Sequence, residues 1–221
     1  MTNEVPMETR EVELSFFTPI LAMSPGTQAQ FQKWVLEKND IVLDEAIEEE
    51  LDTIVEDRED GFDSTKVTAF HRDVDGVYLL QSQFKGFVRE SGNTLKQAVY
   101  NTKTKKAGIA NLKNKLTKHF FVDPYFIWLA ENHSDIYARP IPIPFSCPGG
   151  QRIAIAFSER IMATPEKPVK VKLKLKLVTY SGSEIGWDCI EMLLNYGELN
   201  GCSQNHNSGN GRFTWEWVEK K

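Results

Sequence analysis

Val169-Lys170-Val171-Lys172-Leu173-Lys174-Leu175-Lys176-Leu177-Val178 is the most regular stretch of the chain. Side chains of an extended strand point alternately to opposite faces, so Val171, Leu173, Leu175 and Leu177 share one face and four ammonium groups share the other. One face suits a core; the other suits water or an anion. C-terminal to it, Ile185 to Leu194 has the spacing of a compact amphipathic helix entered through Ser183-Glu184. Arg212 to Val218 then returns as a strand rich in aromatic residues. This strand-helix-strand ending sets the frame for the rest.

Toward the N-terminus, Glu11 to Met23 reads as a first strand carrying Leu14, Phe16 and Phe17, closed by Thr18-Pro19 and Ser24-Pro25-Gly26. Gln28 to Val55 reads as helical, with Phe31, Trp34 and Val35 and then Ile47, Leu51, Ile54 and Val55 at helical spacing. Thr65 to Leu80 reads as a hairpin turning through Asp73-Val74-Asp75-Gly76, because Asp-Gly between apolar runs favours a tight turn. Gln83 to Tyr100 reads as a helix that Gly86 and Gly92 weaken. An irregular basic section follows from Thr102 to Lys118, then an apolar run, Phe120 to Leu129, broken by Asp123-Pro124. Pro140, Pro142, Pro144 and Pro148 mark an extended crossing segment, and Gln151 to Phe157 fits a short strand.

Strand, helical insert, hairpin, helix, basic section, strand, helix, loop, strand is the order of a split βαβ arrangement enlarged by insertions. The expected fold class is α+β: a ferredoxin-like (RRM-like) core within one domain over 1–221, with an acidic helical insertion at about 28–63 and a C-terminal glycine-rich loop.

The formal net charge of −5 hides a segregation. Between Glu37 and Asp63 stand thirteen acidic residues against Lys38 and Arg58, a local charge of −11 that leaves +6 elsewhere. Thr102 to Lys118 alone holds six lysines and no acid. A polyanion would therefore meet a basic body bearing one acidic appendage. No window approaches the eighteen apolar residues a membrane helix needs, and the acidic N-terminus lacks a signal-peptide layout. Cys147, Cys189 and Cys202 show no paired spacing, which argues for a reducing, cytoplasmic setting and against a disulfide framework or structural zinc. His71, His119 and His133 are isolated, so neither a metal site nor another cofactor is expected.

The densest chemical signal is Gly201-Cys202-Ser203-Gln204-Asn205-His206-Asn207-Ser208-Gly209-Asn210-Gly211-Arg212-Phe213. Gly201, Gly209 and Gly211 permit positive φ and close approach of a ligand to backbone N–H groups, which together can form an anion-binding concavity. Asn205, Asn207 and Ser208 add neutral donors, and Arg212 adds a planar fork suited to phosphate. The plain structural alternative is a mobile turn. His206 could act as a general acid or base, but such a histidine more often hydrogen-bonds or stacks. For Lys170, Lys172, Lys174 and Lys176 three readings stand together: protection of an exposed strand, a track for phosphates, and a dock for the acidic insert.

These residues also resemble a family. Ser208-Gly209-Asn210-Gly211-Arg212-Phe213, following a helix, is similar to the C-terminal loop of the RAMP superfamily, ferredoxin-like RNA-binding proteins of CRISPR systems. Phe84-Lys85-Gly86-Phe87-Val88-Arg89 resembles a Lys-Gly segment of its backbone-type members. Phe70-His71-Arg72-Asp73 resembles the family's Arg-Asp turn, and Phe17-Thr18-Pro19-Ile20 its first strand end. The stretch from Leu193 to Trp215 also looks like small phage and prophage proteins, which suggests a stand-alone relative in a bacterial host cell. The resemblance implies RNA binding through Lys85, Gly86, Arg89 and the loop. It does not imply cleavage: Val67 and Thr68 stand nearest the position where RNA-cleaving members use an aspartate, and no histidine precedes His71.

The expected function is non-catalytic binding of single-stranded nucleic acid, RNA first, without a membrane role. The alternatives are an interaction protein or inhibitor acting through the acidic insert, by a protein partner or self-association, and a metal-independent endoribonuclease using His206.

Overall fold

The computed structural model describes residues 5–25, 67–73, 76–129, 134–143 and 152–218. The acidic insertion expected at about 28–63 lies outside the described residues. In chain order the elements are β1 (Met7–Phe16), β2 (Ile20–Leu21), β3 (Ser24–Pro25), β4 (Val67–Ala69), β5 (His71–Asp73), β6 (Gly76–Leu80) and α1 (Gln81–Leu95). Next come β7 (Tyr100–Asn101), β8 (Lys106–Ala107), α2 (Leu112–His119), β9 (Phe120–Asp123), β10 (Phe126–Trp128) and β11 (Asp135–Ile143). The last are β12 (Arg152–Ile161), β13 (Val169–Val178), α3 (Trp187–Asn195) and β14 (Phe213–Trp217). They fall into two compact units, one of Met1–Leu21, Arg72–His133 and Ile161–Lys221, the other of Ala22–His71 and Ser134–Arg160.

The first unit is built on a four-stranded sheet in the order β14-β1-β13-β9. β1 and β9 each run antiparallel to β13, so they are parallel to one another with β13 between them. β14 is likewise antiparallel to β1, which places β1 between the parallel pair β13 and β14. Two interleaved strand-helix-strand crossovers in this order are the ferredoxin-like arrangement, and the fold class is α+β as the sequence implied.

The register follows the apolar alternation. Val12, Leu14 and Phe16 are buried opposite Leu173, Val171 and Val169, and Leu175 and Leu177 are buried opposite Val122 and Phe120. Burying each such side chain contributes about 1.5–3 kcal/mol, whereas an exposed ion pair contributes at most about 1 kcal/mol. The apolar face therefore sets the register and the charged face follows it. A slip by one residue would send every core side chain of β13 to water.

α1 buries Phe84, Phe87, Val88, Ser91 and Gly92, the i, i+3, i+4, i+7, i+8 stripe of a helix lying on a core. It begins where the Gln83 side chain accepts the Leu80 N–H at 3.0 Å. Gly92 sits where α2 comes closest: a Cβ there would lie 2.5 Å from Leu116 Cδ1. The propensity cost of glycine is thus offset by close helix packing. The helix stops at Leu95, short of the expected Tyr100, and Val99 and Gly108 instead join in a turn leading to β7 and β8. The basic section holds a helix, α2, whose Leu112 and Leu116 are buried.

A smaller sheet, in the order β10-β6-β5, carries Val77, Leu79 and Ile127 on its buried side. The expected hairpin exists over β5 and β6, but the preceding β4 leaves it at Phe70 for the other unit. There β4 runs parallel to β12, in a sheet ordered β11-β12-β4-β3. Thr68 Oγ1 donates to Ser158 Oγ at 2.8 Å, and the Phe70 N–H donates to Glu159 Oε2 at 2.7 Å. The described part of the segment expected as a proline-rich crossing, up to Ile143, belongs to strand β11; Pro144 and Pro148 lie outside the described residues. Pro140 and Pro142 are two residues apart on the strand that is outermost among the described residues, so both missing N–H groups face the same side.

Candidate nucleic-acid interface

The glycine-rich loop is locked, not loose. A short 3₁₀ turn, Tyr196–Glu198, leads into it from α3, and a second, His206–Ser208, crosses its middle. The N–H groups of Cys202, Ser208, Gly209 and Gly211 donate to the carbonyls of Gly211, Asn205, His206 and Pro19 at 2.8–3.0 Å. The Arg212 N–H donates to Thr18 Oγ1 at 2.8 Å, and the Phe17 N–H donates back to the Arg212 carbonyl at 3.1 Å. The Thr18-Pro19 step and the Gly209-Asn210-Gly211-Arg212 turn, far apart in sequence, therefore form one structure.

Glycine is required at two points of this closure. Gly211 has φ +67°, and a Cβ there would lie 2.5 Å from Ser203 Oγ and 2.8 Å from Ser203 N. A Cβ on Gly201 would fall on the backbone of Asn210 and Gly211. With the N–H groups of Gly209 and Gly211 spent inside the protein, the turn does not offer them as an anion concavity. The glycines serve close packing. Asn205, itself at φ +57°, accepts from Ser208 Oγ through its Oδ1 at 3.1 Å and from Asn210 Nδ2 through its carbonyl at 3.3 Å. Its part, and that of Ser208, is to hold the turn's shape.

His206 ties the loop to α1. Its Nδ1 lies 3.2 Å from the Ser203 carbonyl and its Nε2 3.1 Å from Glu90 Oε1. Both partners are acceptors, so both nitrogens donate together only when the ring is protonated. An imidazole engaged on both sides is placed as a strut. Arg212 donates through Nε to the Glu198 carbonyl and lays its guanidinium 5.3 Å from the centre of the Phe17 ring.

Lys85 and Arg89 lie one helical turn apart on α1, near the strut at Glu90. Lys85 Nζ donates to the Thr117 carbonyl at 3.1 Å and lies 4.6 Å from the centre of the Phe121 ring. Burial first, and the Arg89 charge second, hold the Lys85 ammonium below the ordinary lysine range. Among the described residues, neither cation has a carboxylate partner, and Arg89 Nε is a buried nitrogen with no acceptor. Gly86, beside them, faces open space: nothing comes within 4 Å of where its Cβ would be.

The lysine ladder differs. Lys170 and Lys172 reach the two oxygens of Glu13 at 2.6 and 3.7 Å, Lys174 reaches Glu11 at 3.4 Å, and Lys176 pairs with Asp123. The Lys170 hydrogen bond, more than any other cause, holds the Glu13 carboxyl below the usual range. Each rung is thus matched within the sheet, chiefly by β1 residues whose alternation, Glu11 and Glu13, mirrors that of β13. That signal was in the sequence and is the one the ladder's three readings missed.

Among the described residues no group of three or more His, Cys, Asp or Glu could hold a metal ion, and no helix is long and apolar enough to cross a membrane. Cys189 and Cys202 are buried, and burial pushes both thiols up to about 12. His71 meets Ser24 Oγ at 2.6 Å, and the centre of the His119 ring lies 5.9 Å from that of Tyr180.

Fold and site together define an α+β protein with a ferredoxin-like sheet, a locked C-terminal loop and, on α1, two cations without a carboxylate partner among the described residues. No family model and no curated protein matches the chain. Among solved structures it is similar to a chain of the Type III-B Cmr-beta bound to cognate target RNA, at 10% identity and a TM-score of 0.45 over 97% of this chain. It spans 61% of the length of that chain. It is also similar to Cmr6 from Pyrococcus furiosus, at 7% identity and a TM-score of 0.42, over 96% of this chain and 99% of the other. Likenesses this distant carry no argument about function.

Proposed function

We propose that this protein binds single-stranded nucleic acid, RNA first, and holds it without cutting. The observation that carries the reading is the contrast between two sets of cations. All four ladder lysines have carboxylate partners, while Lys85 and Arg89 are partly buried, mutually repelling and unmatched among the described residues. A crowded cation without a carboxylate to neutralise it is costly, and a phosphate would relieve that cost. The open surface at Gly86 leaves room for a backbone to approach, and Arg212 presents a second guanidinium from the locked loop. Gly201, Gly209 and Gly211 fix the loop's shape, Asn205 and Ser208 brace it, and His206 struts it against α1. Lys170, Lys172, Lys174 and Lys176 extend the track only by exchanging their carboxylates for phosphates.

The same reading takes the chain as a stand-alone, phage-encoded relative of RAMP proteins working in the cytoplasm of a bacterial host. The meeting of Thr18-Pro19 with Gly211-Arg212, two of the segments that carry the resemblance, supports the RAMP part of this reading. Binding of a labelled single-stranded RNA, with DNA of the same sequence alongside, tests the proposal. Affinity should fall steeply between low and moderate salt, and the RNA should stay intact. No binding to either strand, or a flat salt response, would overturn it.

A further inference from the structure

The outer face of the small sheet bears four aromatic rings in mutual contact. Tyr78 on β6 lies 4.7 Å from Phe126 and 5.0 Å from Trp128 on β10, and Tyr125 lies 5.0 Å from Phe126. Their pairing follows from the register, since Phe126 faces Leu80 and Trp128 faces Tyr78, while Val77, Leu79 and Ile127 point the other way into the core. The contacts are tilted or edge-on, at 56–79° between planes, so each sets the edge of one ring toward the face of another. Tyr125 and Phe126 remain 56% and 40% exposed. A lone exposed aromatic is ordinary; two exposed rings backed by two half-buried ones form a surface suited to a partner.

Continuity with the cations says which partner. The Gln81 N–H, at the first turn of α1, donates to the Tyr125 carbonyl at 2.9 Å. Lys85 follows one turn later, about 6 Å along the axis, resting on the half-exposed Phe121 ring. Exposed aromatic rings and, a helical turn along α1, cations without a carboxylate partner among the described residues are the two parts of a single-strand binding track: bases have π-faces to stack, and phosphates have charges to match. A protein partner would need the rings but would leave Lys85 and Arg89 unexplained.

We infer that Tyr125 and Phe126, backed by Tyr78 and Trp128, form a stacking platform for unpaired bases of the strand whose phosphates Lys85 and Arg89 hold. The inference rests on the nucleic-acid reading above and adds a base-contacting surface to it. The platform is indifferent to sequence, because every base has a face to stack.

The test compares two oligonucleotides of equal length and charge, one single-stranded RNA with its bases and one abasic, on the full chain and on Tyr125→Ala/Phe126→Ala. Wild-type protein should bind the base-bearing strand about five- to a hundredfold more tightly than the abasic one. The double variant should bind both alike, at the abasic level, with the salt slope unchanged. Equal wild-type affinity for the two strands, or a variant that keeps the preference, overturns the platform but leaves the phosphate contacts standing. That result would turn the face over to a protein partner. A wild-type protein that binds neither strand overturns both the platform and the function it rests on. The wild-type comparison needs no variant, and both substituted side chains are exposed, so a folding defect cannot hide the answer.

Discussion

The amide of Gly211 donates to the carbonyl of Pro19 at 2.8 Å, joining the turn before the last strand to the step after the first. Gly211 stands at φ +67° with Ser203 packed where a side chain would begin. Gly211→Ala should therefore cost about 2–4 kcal/mol, from the left-handed backbone and overpacking together. Gly86→Ala meets nothing within 4 Å and should stabilise α1 by about 0.5–1 kcal/mol. Urea unfolding of the two variants checks the contrast; equal midpoints would contradict it.

Phosphate contacts can be counted through salt. Lys85→Ala, Arg89→Ala and Arg212→Ala should each weaken RNA binding across all sequences. Each should also lower the slope of log affinity against log salt by about 0.7. Lys172→Ala, whose ammonium is matched by Glu13, should change that slope least. Anisotropy titrations at four or five salt concentrations decide it.

Acid stability should report on Glu13. Its folded carboxyl is held below its unfolded value, so its contribution is present above the ordinary carboxylate range and is lost as pH falls through the lowered value. Glu184, lowered chiefly by its hydrogen bond from Lys115, acts in the same sense. Glu13→Gln should destabilise the protein at neutral pH and flatten the acid limb of its stability profile. A parallel shift of the whole profile would mean that the carboxyl is not shifted.

Thiol chemistry should separate folded from unfolded protein. With both thiols pushed up to about 12 and buried, Cys189 and Cys202 should resist iodoacetamide at pH 8 and react once denatured. Peptide mass mapping reads the difference, and rapid native labelling of Cys202 would show the loop opening.

The strand at Val169–Val178 was legible because its alternation is unbroken and both of its neighbours bury the matching face. The helix α2 was not, since Leu112 and Leu116 make only two buried positions in a run dense with lysine, and local charge masked the spacing. β11 was hidden by Pro140 and Pro142, which argue against a strand unless its edge is known to be free. At the site, the loop and Lys85 were legible from residue type. What residue type could not show was partnership: Glu11 and Glu13 matching the lysine ladder, Glu90 bracing His206, and two short strands bringing Tyr78 beside Phe126.

The sheet order β14-β1-β13-β9 also has a history in time. Synthesis delivers β1 first, yet its neighbour β13 follows roughly 150 residues later and β14 later still, a wait of order ten seconds at the usual pace of translation. Until then Val12, Leu14 and Phe16 form a sticky row on a strand with both edges bare, the condition that invites wrong pairing. Of the four strands of this sheet, β1 is made before the rest, yet the second of its two neighbours is made after all the others.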